Sequence, residues 1–154
     1  MKVKFIKAYA KIAEEIASLS HSKKLKVGAI IVKDNRILSV GYNGMPAGWD
    51  NVCEVYYQFV EEGEHEPIIT YKTRDEVLHA ESNALMKVAA STESSDGAVM
   101  FCTHTPCIEC AKLIHQAGIA EVYVGSPYVA SRGTGVDFLD QCGITVHNLV
   151  DFSD

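Results

Sequence analysis

The stretch "AVMFCTHTPCIECAKLIHQAGIAEVYVG", Ala98 to Gly125, alternates strand and helix patterns. "AVMFCT" is a short apolar run rich in strand formers, the length of one buried strand. "CIECAKLIHQAG" then spaces its apolar positions as a helix does and stops at Gly118. "AEVYVG" is a second buried strand. Strand, helix and strand in this order join parallel neighbours by a crossover that lays the helix on one sheet face. The pattern continues with "GVDFLDQCG", a helix closed by Gly143, and "ITVHNL", a last strand.

Working outward, Val3 to Ser18 carries apolar residues at helical spacing. "KVGAIIVKDNRILSVGYNG" predicts two strands, Val27–Val32 and Ile37–Tyr42, joined by a polar turn at Asp34-Asn35. From His79 to Ala90, Ala80, Ala84, Leu85 and Val88 form a buried helical stripe that "SSDG" ends. Residues 43–75 show no steady periodicity and read as a loop with at most a short helix around 54–61. An insertion of that length is uncommon unless it serves a site. Residues 1–154 are expected to form one α/β domain: a three-layer α/β/α sandwich around a central mixed five-stranded sheet.

Composition narrows the function. With 14 basic against 20 acidic residues the chain carries a formal charge of −6. Long nucleic acids demand a basic face, so neither DNA nor RNA is an expected partner. A small anion needs only a local cluster, and "HSKKLK", residues 21–26, is the candidate. No apolar run approaches a membrane span. The lysine-rich N-terminus is amphipathic, unlike a signal peptide, so a cytoplasmic protein is expected. Five cysteines, an odd number, then read as reduced thiols, and the Cys107/Cys110 spacing points to metal or redox chemistry.

Zinc in proteins takes cysteine sulfur and histidine nitrogen, and a catalytic zinc leaves one of its four positions to water. Cys107 and Cys110 stand at a helix mouth behind Pro106, where free backbone N–H groups stabilise thiolates. His79 is the candidate third ligand. Glu81 sits too near His79 in sequence to be a convenient fourth, but it can reach a water at the open position. His79-Ala80-Glu81 followed by Pro106-Cys107-Ile108-Glu109-Cys110 is the H-x-E…P-C-x-x-C signature of zinc deaminases, in which the glutamate is general acid/base. One Zn2+ per chain would acidify the water. Glu81 would take its proton and later deliver protons to the ring nitrogen and the departing amine.

With these motifs on the page, the chain resembles the deoxycytidylate (dCMP) deaminases of the cytidine deaminase superfamily, from about Ser20 to Val146. The resemblance rests on "KVGAIIVKDNRILSVGYNGMPAGWDNVCE", "TRDEVLHAESNAL" and "THTPCIECAKLIHQAGIAEVYVGSPY". It implies a cytidine deaminase-like fold, conversion of dCMP to dUMP for thymidylate synthesis, and a homohexamer. It also implies activation by dCTP with Mg2+ and inhibition by dTTP, in the cytoplasm, a host's if the gene is a phage's. By the same resemblance Asn43 matches a substrate-contacting asparagine, although between two glycines it reads equally as a turn residue. Ala80 and Cys107 are expected to offer backbone N–H groups to the base. Tyr128 either closes over the base or is a surface tyrosine. Lys26 is a candidate for the substrate's phosphate, and Lys23, Lys24 and Asn51 for a substrate or effector phosphate; a solvated charge run is the plainer reading of the lysines.

Some relatives carry a second, structural zinc. Here Ser22 replaces one cysteine ligand, and Cys53, His21 and His65 are scattered, so one zinc is expected. His115 and His147 read as structural, His104 as near enough to line the site, and Cys102 and Cys142 as core. Two other functions fit the same signature less well: deamination of a free nucleoside or of tRNA adenosine, and a zinc-stabilised nucleotide-binding module without catalysis.

Overall fold

The structure, a computed structural model, describes residues 1–63, 65–128 and 134–152. Five strands form the central sheet in the order β2-β1-β5-β6-β7. Strands β1 (Gly28–Lys33) and β2 (Arg36–Tyr42) are an antiparallel hairpin. Asp34 and Asn35 at its turn hold φ of 51° and 58°. That left-handed pair matches the twist of the flanking strands, and aspartate and asparagine tolerate it best among residues with side chains. β5 (Val99–His104) runs antiparallel to β1. β6 (Glu121–Ser126) and β7 (Thr145–Asn148) then continue parallel to β5. The parallel half follows from α3 (Ile108–Gln116) and α4 (Val136–Gln141), each returning the chain to the edge where the previous strand began.

Period-two alternation divides the core. Ile30, Val32, Phe101 and Tyr123 face α1 (Val3–Ser18), meeting Ile6, Tyr9 and Ala13. Ala29, Ile31, Met100, Cys102 and Val122 face the opposite way, against Ala84 and Leu85 of α2 (Ala80–Ala89), Ile114 of α3 and Leu139 of α4. Helices thus cover both faces of a mixed five-stranded sheet, the expected sandwich.

Helix α2 is seated on β2 with little freedom. A Cβ at Gly41 would run into the backbone of Ala80 and Ala84, so only glycine lets the helix lie this close. The Ser39 hydroxyl donates to the Ala84 carbonyl at 2.8 Å, and the Asn83 amide donates to the Tyr42 carbonyl at 2.9 Å. These contacts fix the N-terminal half of α2, the end that carries His79 and Glu81.

The insertion departs from expectation. In place of a loop with a short helix around 54–61, β3 (Glu54–Phe59) and β4 (Ile68–Thr73) form a separate antiparallel ribbon. Tyr56, Tyr57, Phe59, Ile68 and Ile69 are good strand formers, yet all are exposed. With both faces of the ribbon open, nothing imposes the alternation that marks a half-buried strand. Its cross-strand pair Tyr56–Tyr71 has ring centroids 4.5 Å apart. Among the described residues no helix is long and apolar enough to cross a membrane.

Candidate metal centre and active site

Two helix N-termini meet on the face opposite α1. His79 is the extended residue just before α2, and Cys107 holds the same position before α3. The Cys107 sulfur accepts the Cys110 backbone N–H at 3.5 Å and so caps its own helix. His79 Nδ1 lies 3.5 Å from Cys107 Sγ and 3.4 Å from Cys110 Sγ. All three donor atoms fall within 4.8 Å of one another. Tetrahedral zinc bonded at about 2.3 Å to sulfur and about 2.0 Å to nitrogen sets those atoms about 3.6 Å apart. The spacing and the donor chemistry both fit zinc, with three protein ligands and one corner left over.

The electrostatics favour a cation. The Cys107 thiol is drawn down to about 3 by its hydrogen bond with Cys110, and further by His79, against the opposing effect of burial. The Cys110 thiol is pushed up by the same bond and by burial. Hydrogen bonding to Cys107 raises the His79 imidazole. Zinc binds cysteine as thiolate and histidine as neutral imidazole, so a divalent ion at this group would displace the protons these side chains hold. Glu81 lies behind this group and is only 4% exposed. Burial raises its carboxyl above the usual range, opposed by its own backbone N–H and by His79.

His79, Cys107 and Glu81 line a cleft of about 350 Å³, within the range of about 300–1,000 Å³ usual for small-ligand sites, and the Cys110 sulfur lies beside the first two. Ala80 and Cys107 line it at the starts of their helices, where backbone N–H groups lack partners within the helix. Asn43 lines it as well. Its side chain already accepts the Val27 N–H at 2.8 Å and donates to the Leu25 carbonyl at 2.8 Å. One amide hydrogen and one lone pair remain for a ligand. Tyr128 stands at the rim, its backbone N–H and carbonyl both tied to the Thr105 hydroxyl at 2.7 and 2.8 Å.

The lysines of the basic cluster line different cavities. Lys24 lines the cleft. Lys26 does not: its ammonium donates to the Ser18 carbonyl at 3.3 Å beside a different hollow, because the wall turns between the two residues. Lys23 and Asn51 line a third cavity, of about 100 Å³, together with His21, Cys53 and Tyr56. His104 lines the cleft, and burial lowers its pKa. Two further histidines have packing partners: His115 meets Phe138 edge-on, and His147 stacks on Tyr123 and lies 3.0 Å from Glu121. Cys102 is buried in the core and Cys142 packs against it.

Three residues that sequence reading left without a role also shape the site. Asn83 anchors α2, Thr105 anchors the Tyr128 segment, and Glu54 holds the turn at Ser22–Lys24. Each binds backbone or hydroxyl groups about 20 or more positions away. A local pattern carries no trace of such partners.

The profile of the "Cytidine and deoxycytidylate deaminase zinc-binding region" matches residues 3–126. The deoxycytidylate deaminase of Enterobacteria phage T4 is 31% identical over 166 residues, covering 90% of this chain and 86% of that protein. The dCMP deaminase of cyanophage S-TIM5, solved in complex with dCMP and dUMP, is 43% identical with a TM-score of 0.81. That alignment covers 96% of this chain and 98% of the cyanophage protein. In its apo form the same enzyme matches at 40% identity and a TM-score of 0.78. The sandwich, the His-Cys-Cys group and these likenesses agree: the chain belongs to the cytidine and deoxycytidylate deaminase family.

Proposed function

We propose that residues 1–154 are one deaminase domain that hydrolyses dCMP to dUMP and ammonia, supplying the precursor of thymidylate. The observation that carries this reading is a buried glutamate beside a His-Cys-Cys donor group, with Glu81, His79 and Cys107 lining a nucleotide-sized cleft. The likeness to a dCMP deaminase solved with dCMP and dUMP supports the choice of substrate.

His79, Cys107 and Cys110 would hold a zinc ion, which when bound supplies an acidified water and a positive charge beside the reacting carbon. Glu81 holds the mobile proton. Its carboxylate takes one proton from the water and gives it to the ring nitrogen, then takes the second from the hydroxyl left on the carbon and gives it to the amine, which leaves as ammonia. Backbone N–H groups of Ala80 and Cys107 orient the base. Asn43 keeps the wall at Leu25 and Val27 in place and offers its remaining amide hydrogen to the sugar or phosphate. Lys24, on the cleft, is the cation for the 5′-phosphate. Tyr128 shields the open side.

The regulatory reading extends this one. dCTP with Mg2+ and dTTP are the proposed effectors, with Lys23 and Asn51 as phosphate contacts in the cavity behind the cleft wall. A homo-oligomer, hexameric as in the family, would cover the apolar side chains that the ribbon leaves open, Tyr56 at 60% and Ile69 at 59% exposure among them. The enzyme would work in the cytoplasm.

Steady-state ammonia release from dCMP and from deoxycytidine tests the substrate. The expected kcat/KM for dCMP is at least about a hundredfold higher, because a site built for a phosphate is left unpaired by the nucleoside. A preference for deoxycytidine, or activity on tRNA adenosine alone, overturns the choice. Repeating the assay with dCTP and Mg2+, then with dTTP, reads the effectors.

A further inference from the structure

The first residue of the ribbon, Glu54, is a carboxylate only 5% exposed, with no charge-bearing role in the chemistry above. A single oxygen, Oε1, accepts three hydrogen bonds: from the Ser22 hydroxyl at 2.6 Å, the Lys23 N–H at 2.9 Å and the Lys24 N–H at 3.1 Å. Two successive backbone N–H groups aimed at one anion form a nest, and here the anion comes from the protein itself. Burial alone would raise this carboxyl, yet the Ser22 hydroxyl and the two N–H groups hold it below the usual range. It is an ionised clamp.

The clamped turn divides two cavities. Ser22, Lys24 and Leu25 line the substrate cleft, while His21 and Lys23 line the small cavity on the other side, beside Glu54 and Tyr56. Farther along, Asn43 fixes the same wall through Val27 and Leu25. The wall is thus pinned at one end by the sheet and at the other by the ribbon. Lys24, the cation on the cleft, lies at the ribbon's end.

We propose that Glu54 is a positioning residue for nucleotide binding: it clamps the Ser22–Lys24 turn so that Lys24 stays at the rim, setting affinity for the phosphorylated substrate and not the rate of bond breaking. This rests on dCMP being the substrate. It also gives the insertion a task, because the ribbon carries the residue that shapes the cleft wall.

The test is steady-state kinetics on dCMP with zinc content measured for wild type, Glu54→Ala, Glu54→Gln and Ser22→Ala. Glu54→Ala strands three donors and should raise KM about tenfold, with kcat within about twofold and zinc unchanged. Glu54→Gln keeps an oxygen at the Oε1 position and should restore KM to within about threefold of wild type. Ser22→Ala deletes one donor and should fall between them. An unchanged KM in Glu54→Ala overturns the clamp, as does Glu54→Gln being as impaired as Glu54→Ala. Should Glu54→Ala fail to fold, Ser22→Ala decides: a raised KM with intact kcat supports the clamp, and wild-type values overturn it. Wild type that leaves dCMP untouched overturns the substrate reading itself; a working wild type with insensitive variants overturns the clamp alone.

Discussion

Glu81→Gln is expected to lower dCMP turnover by at least about a thousandfold while zinc content stays at the wild-type level. The substitution is nearly isosteric, so the packing around a side chain only 4% exposed is kept. The amide, however, can neither take a proton from water nor give one to the ring nitrogen and the amine. General acid–base groups typically contribute about 10² to 10⁴ in rate, and in the proposed mechanism one carboxyl serves as both base and acid. Glu81 is not one of the three clustered donors, so metal analysis of the variant separates a lost proton shuttle from a lost ion. A variant that keeps near-wild-type turnover removes Glu81 from the mechanism.

Replacing a donor should have a different signature. His79→Ala, Cys107→Ala and Cys110→Ala are each expected to lose both zinc and activity, and to melt at a lower temperature than the zinc-loaded protein. Two remaining ligands cannot close the coordination that three protein groups provide. An ion bound only by the folded state adds stability as RT ln(1 + [L]/Kd), about 4 kcal/mol at a thousandfold excess over Kd. Chelating the wild type should abolish activity reversibly. The hydrogen bonds that pull the Cys107 thiol down to about 3 keep one thiolate ready at the helix mouth after the ion leaves. Added zinc should therefore restore turnover. Full activity in any of these variants, or in chelated wild type, would refute a metal role for the group.

Much of the fold was legible because its elements are buried on known faces. The limits of α1 follow from its apolar spacing, and the parallel half of the sheet follows from strands separated by one helix each. Asp34 and Asn35 announced their turn because few other residues accept positive φ. The ribbon was not legible: exposed on both faces, Tyr56, Tyr57 and Ile69 show no period to read. His79, Glu81, Cys107 and Cys110 stand out in the sequence because metal and proton chemistry dictate both residue type and spacing, and the fold brings the His79, Cys107 and Cys110 donor atoms within 4.8 Å of one another. Lys24 and Lys26 line different hollows, because a run of lysines says nothing about which way each one faces. Asn43 was visible as a residue, but its hold on Val27 and Leu25 was not. Glu54 and Asn83 stayed hidden because each works through backbone groups that the fold alone brings near.

Mass analysis of the product when zinc-loaded protein acts on dCMP in water carrying heavy oxygen tests the hydrolytic mechanism directly. Hydrolytic attack directed by this site predicts dUMP with a single heavy oxygen at the carbon that lost its amine, together with an equimolar amount of ammonia. Unchanged dCMP, or dUMP formed without the label, would contradict it.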